Sequence, residues 1–184
     1  MFKMEVEARV KVDSLEEVKE KLVGLGAEFC KEKSQIDTIF KKKGDELKPQ
    51  GPGDFILRIR ESDKIFLTFK ALTETTGAWV EHETEVQNAE EMREILVKSG
   101  FAEALTMTKK RLCGALDDFE LCLDDIKELG TFIEIALDSE DEKKAKEEIV
   151  GLLNKLGFNE SQIVHKGYVA ILFERQGVKF NGTG

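Results

Sequence analysis

The stretch Met4-Glu5-Val6-Glu7-Ala8-Arg9-Val10-Lys11-Val12 alternates charged and apolar residues almost from the start of the chain. Successive side chains of an extended strand point to opposite faces. The valines and the alanine would therefore share one face, and the charged residues would share the other. The pattern predicts a strand that needs a hydrophobic partner layer on one side and carries Glu5, Glu7, Arg9 and Lys11 on the other side.

The same period-2 alternation recurs along most of the chain. In Phe55–Glu61, for example, apolar residues alternate with Arg58 and Arg60. Alternation of this kind is typical of antiparallel strands with unlike faces. We therefore predict a strand-rich α+β fold. The further predicted strands are Gln35–Lys41, Phe55–Glu61, Lys64–Ala71, Trp79–Val86, Leu105–Leu112, Phe119–Leu123, Thr131–Leu137 and one near Tyr168–Glu174.

Three helices are predicted by a common start signal, a capping residue followed three positions later by glutamate. The pairs are Ser14 with Glu17, Asn88 with Glu91, and Ser139 with Glu142. Each is followed by an apolar stripe at helical spacing, and each stripe ends near a glycine. A helix with one apolar stripe must pack against another surface, and the apolar faces of the strands supply it.

Length and charge limit the protein class. The chain has 184 residues, 37 Asp and Glu against 28 Lys and Arg, and a formal net charge of −9. This length fits one domain, which we predict over residues 1–174 with a C-terminal tail at 175–184. The acidic balance argues against a general nucleic-acid surface. The early charges and the lack of a long apolar run predict a soluble, cytoplasmic protein that does not bind membranes.

The charges on the strands are sorted by sign. Acidic residues stand at i, i+2 spacing in one strand (Glu81, Glu83, Glu85), and basic residues do so in others (Arg58 with Arg60, Lys109 with Arg111). An ordinary solvated sheet face is one explanation. The other is a sheet that curls until the charges face inward, and such an interior needs a polyanion and metal ions to satisfy both signs. Arginines would grip phosphate oxygens, and carboxylates would hold a divalent cation.

The cysteines and histidines favour no site of their own. Cys30, Cys113 and Cys122 are odd in number and form no C-x-x-C pair, so we predict buried apolar side chains and no disulfide framework or zinc site. His82 and His165 have no metal-ligand spacing, and a surface role is the simpler interpretation.

An ordered set of short motifs resembles the CYTH family, also called triphosphate tunnel metalloenzymes. The motifs are Glu5-x-Glu7-x-Arg9, Ile56-Leu57-Arg58-Ile59-Arg60-Glu61, Leu67-Thr68-Phe69-Lys70, the acidic strand 79–86, Lys109-x-Arg111, and Leu123-Asp124 leading to Leu129-Gly130-Thr131-Phe132-Ile133-Glu134. The family includes class IV adenylate cyclases, thiamine triphosphatases and inorganic tripolyphosphatases. The resemblance runs from about Met4 to Tyr168 in the family's order.

The resemblance implies an eight-stranded closed antiparallel tunnel with about three helices outside, a triphosphate in the lumen, and Mg²⁺ or Mn²⁺ as cofactor. It implies that Glu5, Glu7 and Glu134 bind metal and that Asp124 orients a basic side chain. Glu83 or Glu85 is implied as the catalytic acid, with their register open, and Lys70 as a further catalytic residue. The implied phosphate-binding residues are Arg9, Lys11, Arg58, Arg60, Lys70, Lys109, Arg111 and Lys166.

Two positions depart from the family's pattern. Arg9 stands where the family usually has lysine, which keeps the positive charge but not a group that can give up a proton. Glu134-Ile135-Ala136 replaces a late Glu-x-Glu, so one carboxylate is missing. A second metal site would be weakened by this loss.

The function predicted from these residues is metal-dependent hydrolysis of a triphosphate: inorganic tripolyphosphate, thiamine triphosphate or a nucleoside triphosphate. The alternative is a class IV-like adenylate cyclase that makes cyclic AMP and pyrophosphate from ATP. A non-catalytic triphosphate sensor, which Ala136 favours, and a scaffold with a solvated charged sheet remain further alternatives. The partner expected is a small-molecule triphosphate, and the prediction leaves room for a homodimer.

Overall fold

A computed structural model describes residues 4–48, 51, 53–72 and 79–178, without the side chains of Met4, Glu5, Leu72 and Trp79. In chain order the elements are β1 (Met4–Lys11), α1 (Leu15–Gly24), β2 (Glu28–Phe29), β3 (Lys33–Lys42), β4 (Phe55–Glu61), β5 (Ile65–Leu72), β6 (Trp79–Val86), α2 (Ala89–Lys98), β7 (Phe101–Leu116), β8 (Phe119–Ile126), β9 (Gly130–Ser139), α3 (Glu142–Leu156), a 3₁₀ turn (Glu160–Gln162) and α4 (Tyr168–Arg175). This is the predicted α+β class, with four α-helices in the described part instead of three.

The strands form a large antiparallel sheet in the order β1-β9-β8-β7-β3-β4-β5-β6, and β2 pairs with β7. Among the described residues, hydrogen bonds do not close this order into a ring, since β1 and β6 stand at its two ends. Hydrogen bonding therefore does not show the closed eight-stranded barrel, which stays a prediction. In the part of the chain that the structure describes, the sheet has nine strands instead of the eight expected for the barrel, and the two-residue β2 is one that was not predicted.

The chain forms two compact units. Unit 1 comprises Met1–Lys33 and Lys109–His165, and unit 2 comprises Ser34–Thr108 and Lys166–Gly184. The 16-residue strand β7 contributes to both units, since the boundary between Thr108 and Lys109 falls inside it. The single domain over 1–174 stays a prediction. Within the predicted tail, Val178 is buried, and residues 179–184 lie outside the described part.

The core of unit 1 lies on the apolar face of β1, β8 and β9. Val10, Leu121 and Ile135 are fully buried there, and α1 and α3 cover them with Leu22 and Leu153. The alternation in β1 thus places its valines against two helices, as predicted. The opposite face of the same strands carries the charges.

Unit 2 is built in the same way around a smaller core. Phe40 of β3 and Ile59 of β4 are fully buried and pack with Ala89 and Leu96 of α2. The helix takes the apolar face of the strands, which again leaves the charged residues of β4, β5 and β6 on the other face.

Two of the three predicted helix starts are confirmed atom by atom. Ser14 Oγ accepts from the Glu17 amide at 3.2 Å, and Asn88 Oδ1 accepts from the Glu91 amide at 3.1 Å. The third start was wrong by two residues. Asp141 is the N-cap of α3 and accepts from the Lys144 amide at 3.0 Å.

The predicted strand near Tyr168–Glu174 is wrong, because these residues form α4. Its aromatic and β-branched residues suggested a strand, yet a short apolar run does not distinguish the two structures by periodicity. Tyr168, Leu172 and Phe173 are buried, and the spacing of four positions between Tyr168 and Leu172 fits one face of a helix. No helix in the described ranges has both the length and the apolar content needed to cross a bilayer.

Candidate active site

The charged side of unit 1 is one sheet face whose members are fixed by strand register. Arg9 lies opposite Glu134, Glu134 opposite Cys122, and Cys122 opposite Cys113. Asp124 lies two residues after Cys122 in β8, and it is opposite Arg111, which lies two residues before Cys113 in β7. Directly opposed residues share a face in an antiparallel pair, so we define the unit 1 face as Glu7, Arg9, Lys109, Arg111, Cys113, Cys122, Asp124 and Glu134.

Arg9 joins two of the predicted metal-binding carboxylates. Its Nε donates to Glu134 Oε2 at 2.5 Å, and its terminal nitrogen donates to Glu7 Oε1 at 2.5 Å. The Arg9 side chain is only 13% exposed, so these contacts lie in a partly desolvated place. Arg9 therefore neutralises and orients both carboxylates, whereas a phosphate would have to compete for its donors.

Arg111 is held by Asp124 in a two-pronged contact. Its Nε and a terminal nitrogen donate to the two carboxylate oxygens at 2.7 and 2.6 Å, and Asp124 is fully buried. A third contact runs to Glu134 at 3.1 Å. Burial disfavours the charge on Arg111, but the hydrogen bond and charge of Asp124, with Glu134, raise its pKa above the ordinary value. This is the contact that the predicted orienting role of Asp124 requires.

The carboxylates of unit 1 fit a hard divalent cation in their donor chemistry. Mg²⁺ and Mn²⁺ prefer carboxylate oxygens, and Glu7 and Glu134 supply them on adjacent strands. Among the described side chains, no three acidic, imidazole or thiol groups cluster as a metal site, and the side chain of Glu5 lies outside that set. The metal site therefore stays a prediction, in which a cation would compete with Arg9 and Arg111 for Glu134.

Ala136 occupies the position of the missing carboxylate. It is buried and pairs in register with Glu7 on one side and Glu120 on the other. A methyl group thus stands in the row next to Glu134 on the charged face. At this position the charged face therefore offers no oxygen atom as a metal ligand.

Arg58 is the central cation of unit 2. One terminal nitrogen donates to Thr68 Oγ1 at 3.1 Å and approaches Glu81 and Glu83 at 3.1 and 3.3 Å. Burial, and then the charge of Arg60, lower the pKa of Arg58. Its Nε is buried and has no hydrogen-bond partner among the described residues. A buried donor atom without a hydrogen-bond partner is costly, and an oxyanion would satisfy it.

Arg60 is paired with Asp37, a residue that the sequence interpretation missed. Arg60 Nε and a terminal nitrogen donate to the two oxygens at 2.7 and 2.8 Å, and Asp37 is only 1% exposed. Thr68, also missed, is fully buried and donates to Glu83 Oε2 at 2.8 Å. The sequence did contain a signal for Asp37, because it is an acidic residue inside the apolar strand Gln35–Lys41. Its partner could not be identified, because the pairing depends on strand register.

The register of the acids in β6 is now defined. Glu83 contacts both Thr68 and Arg58, whereas Glu85 pairs with Lys64 at 2.7 Å in an exposed position. Lys70 approaches Glu81 at 3.5 Å. Of the two candidate catalytic acids, Glu83 is the one that lies beside the partly buried Arg58. We define the unit 2 face as Asp37, Arg58, Arg60, Thr68, Lys70, Glu81 and Glu83.

The remaining predicted cations lie in different surroundings. Lys11 is exposed at the end of β1, and Lys109 is almost fully buried in β7 of unit 1. Lys166 precedes α4 in unit 2 and donates to Glu174 of that helix at 2.5 Å. Lys166 is thus tied to its own helix, and its phosphate-binding role stays a prediction.

The cysteines differ from the prediction of buried apolar side chains. Cys30 is exposed, and Cys113 and Cys122 are partly exposed with their sulfur atoms 3.6 Å apart. The hydrogen bond with Cys122, followed by the charge of Arg111, outweighs burial and lowers the pKa of Cys113 to about 6. The same hydrogen bond, with burial, raises the pKa of Cys122. Sequence spacing could not reveal this pair, which forms across two strands.

With both charged faces described, comparison with known proteins identifies the family. The CYTH domain model matches residues 3–168, which is most of the chain. The chain belongs to the CYTH domain family, as the sequence motifs predicted.

Relatives and solved structures agree with this assignment. A protein of Methanocaldococcus jannaschii named as a candidate adenylate cyclase is 32% identical over 174 residues, covering 91% of this chain and 98% of that protein. The PH1012 protein of Pyrococcus horikoshii OT3 superposes with a TM-score of 0.76 at 26% identity, covering 90% and 98%. HpAC1 of Hippeastrum, a candidate adenylyl cyclase described as having a dominant triphosphatase activity, superposes at 0.64 with 20% identity, covering 97% and 98%; at that identity it shows the fold alone.

Proposed function

We propose that this protein is a divalent-metal-dependent triphosphatase acting on inorganic tripolyphosphate, thiamine triphosphate or a nucleoside triphosphate. The observation that carries the proposal is the buried Nε of Arg58, which has no partner among the described residues. A partly buried guanidinium with a buried, unused donor suits a ligand with several anionic oxygens. A water-covered scaffold would have no reason to keep such a group.

The proposed roles follow from what each side chain contacts. Glu7 and Glu134, with Glu5, would hold the divalent ion, which when bound neutralises charge on phosphate oxygens. Arg58, Arg60 and Lys70 would donate to non-bridging oxygens. Asp37 and Asp124 keep Arg60 and Arg111 in fixed orientations, so little rotamer freedom is lost when phosphate binds.

Glu83 is the proposed water-orienting residue. Its Oε2 already accepts from Thr68 at 2.8 Å, which fixes the carboxylate without removing its negative charge. It would accept a hydrogen bond from the attacking water, whose oxygen forms the new bond to the terminal phosphorus while the bridging P–O bond breaks. Glu85, paired with Lys64 in an exposed position, is not assigned this role.

An adenylate cyclase is the second candidate, because the M. jannaschii relative carries that name. The same cations would then bind ATP while its ribose 3′-hydroxyl attacks the α-phosphorus and pyrophosphate leaves. Incubation with ATP and Mn²⁺, with cyclic AMP separated from ADP and phosphate, distinguishes the two reactions. Release of phosphate with no cyclic AMP supports the triphosphatase.

The decisive experiment is a turnover screen of tripolyphosphate, thiamine triphosphate and ATP with Mg²⁺ or Mn²⁺. We expect Glu7→Gln to abolish divalent-dependent turnover. The matched control is Glu147→Gln, an exposed glutamate of α3, which should keep full activity. Full activity of Glu7→Gln would refute the metal assignment, and tight triphosphate binding without turnover under either ion would favour the sensor. A crystal structure with bound tripolyphosphate would test the closed barrel, which remains part of the proposal.

A further inference from the structure

Cys113 and Cys122 lie directly opposite each other on β7 and β8, with sulfur atoms 3.6 Å apart. We propose that they form a reactive dithiol that a small-molecule disulfide oxidises to a cross-strand disulfide. The proposal depends on strand geometry and is independent of the triphosphatase assignment.

The first argument concerns the kind of antiparallel residue pair that Cys113 and Cys122 form. The carbonyl of Cys113 accepts from the amide of Cys30 at 2.9 Å, so it points toward β2 and away from β8. Cys113 and Cys122 are therefore a non-hydrogen-bonded pair, in which the Cα atoms lie about 4.5 Å apart and the side chains approach closely. Disulfides span Cα separations of about 4.4–6.8 Å, so the bond can form without a change of register.

The second argument concerns access to the two side chains. Each side chain is partly exposed, and both lie on the charged face of unit 1 with Arg111 instead of in its hydrophobic core. The lowered pKa of Cys113 supports its role as the attacking group, because the thiolate is the nucleophile in thiol–disulfide exchange.

The reaction balances with the disulfide reagent alone. Cys113 Sγ attacks one sulfur of the reagent, its S–S bond breaks, and the departing thiolate takes the Cys113 proton. Cys122 Sγ then attacks the Cys113 sulfur of this mixed disulfide, and the second reagent thiolate leaves with the Cys122 proton. The protein dithiol is oxidised by two electrons, and the reagent disulfide is reduced to two thiols.

The test uses the folded full chain treated with oxidised glutathione, followed by maleimide labelling and mass spectrometry. We expect the reduced protein to take three labels and, after oxidation, Cys113 and Cys122 to take none, whereas the exposed Cys30 is open to either label or glutathione. Trypsin leaves both cysteines in one peptide, because the sequence has no Lys or Arg between Arg111 and Lys127. A protease that cuts at Asp117 or Asp118 separates them and reveals the crosslink directly.

Two variants make the result specific. Cys30→Ser removes the exposed third thiol and should still form the bond, which leaves no site for maleimide. In the Cys30→Ser background, Cys122→Ser should form no internal bond and should retain one glutathione on Cys113. The proposal is overturned if Cys113 and Cys122 both stay labelled after oxidation of the folded protein, if the bond joins Cys30 to either of them, or if it forms only in denaturant.

Discussion

Buried aspartates orient two arginines of the charged faces, while a third arginine keeps an unused donor. Asp37 holds Arg60 and Asp124 holds Arg111, each by two hydrogen bonds, and both aspartates are at most 1% exposed. Such pairs fix the plane of the guanidinium group, and they thereby fix the direction in which its remaining N–H donors point. Arg58 lacks a fork of this kind, since its contacts all use one terminal nitrogen.

Removing a buried acid should cost far more than removing an exposed one. Asp124→Ala leaves Arg111 without its main partner, and breaking a buried pair costs about 3–5 kcal/mol of unfolding free energy. Glu85→Ala removes an ion pair whose side chains are more than half exposed, which is worth at most about 1 kcal/mol. Chemical denaturation of both variants measures the contrast, and equal losses would contradict the pairing described for Asp124.

The role of Arg58 in binding phosphate can be tested by a replacement that keeps its charge. Arg58→Lys keeps the positive charge but removes the Nε donor and the planar fork. If phosphate oxygens use that donor, tripolyphosphate should bind about tenfold or more weakly, since a hydrogen bond to a charged group contributes about 1.5–3 kcal/mol. Calorimetry would measure the affinity. Lys64→Arg, at an exposed cation on the same unit, is the control and should bind normally.

The thiol of Cys113 should react at unusually low pH. Alkylation follows the thiolate, so a pKa lowered to about 6 places the half-maximal rate near that pH, with a plateau above about pH 7. The main cause is the hydrogen bond with Cys122, so Cys122→Ala should move the midpoint upward, toward about 8.5. The pH dependence of the iodoacetamide rate gives the midpoint with and without Cys122, in a Cys30→Ser background. Equal midpoints would show that the hydrogen bond with Cys122 does not lower the pKa of Cys113.

At the scale of elements, one glycine permits the approach of β2 to β7. A Cβ on Gly114 would lie 2.5 Å from a Phe29 ring carbon and 2.6 Å from the carbonyl oxygen of Glu28. Gly114→Ala should therefore destabilise unit 1 by about 1–3 kcal/mol, as overpacking does. Gly151→Ala, in α3 with open space around the new methyl group, should stabilise by about 0.4–1 kcal/mol. Thermal unfolding of the two variants should shift in opposite directions.

Elements with long alternation were predictable from sequence, and short apolar ones were not. The alternating valines of β1 predicted a strand, and Ser14 and Asn88 predicted two helix starts. The structure contains this strand and both caps. The segment Tyr168–Glu174 was misread as a strand, because seven mostly apolar residues fit either period. Its helix depends on burial of Leu172 and Phe173 in unit 2, which is tertiary information.

The candidate site was predictable in its charges and less so in its pairings. Arg60 and Glu83 carried motif signals, but the pairing of Asp37 with Arg60 and of Thr68 with Glu83 became visible only through strand register. The Cys113 and Cys122 pair likewise depends on the alignment of β7 with β8. Register is set by turns and by packing of whole strands, and no single motif reports it.

For the whole molecule, the net charge of −9 conceals cations that are concentrated on two sheet faces. If a triphosphate binds these cations as proposed, it should stabilise the folded protein by mass action. At one hundred times the dissociation constant the gain is about 2.7 kcal/mol, which raises the melting temperature by about 5–11 °C for a chain of this length. We expect this shift with tripolyphosphate and Mg²⁺ and a smaller one after a chelator is added. Sulfate is the control, and an equal shift with sulfate would exclude triphosphate recognition.

The pairing of β1 with β9 also affects how the protein emerges from the ribosome. Arg9 and Glu134 form their ion pair across 125 positions of chain. At about 5–20 residues per second, synthesis separates the two strands by roughly 6–25 s. During that interval the valines of β1 have neither β9 nor α3 to cover them. The nascent N-terminal segment is therefore expected to expose its apolar face to chaperones until its partner strand is made.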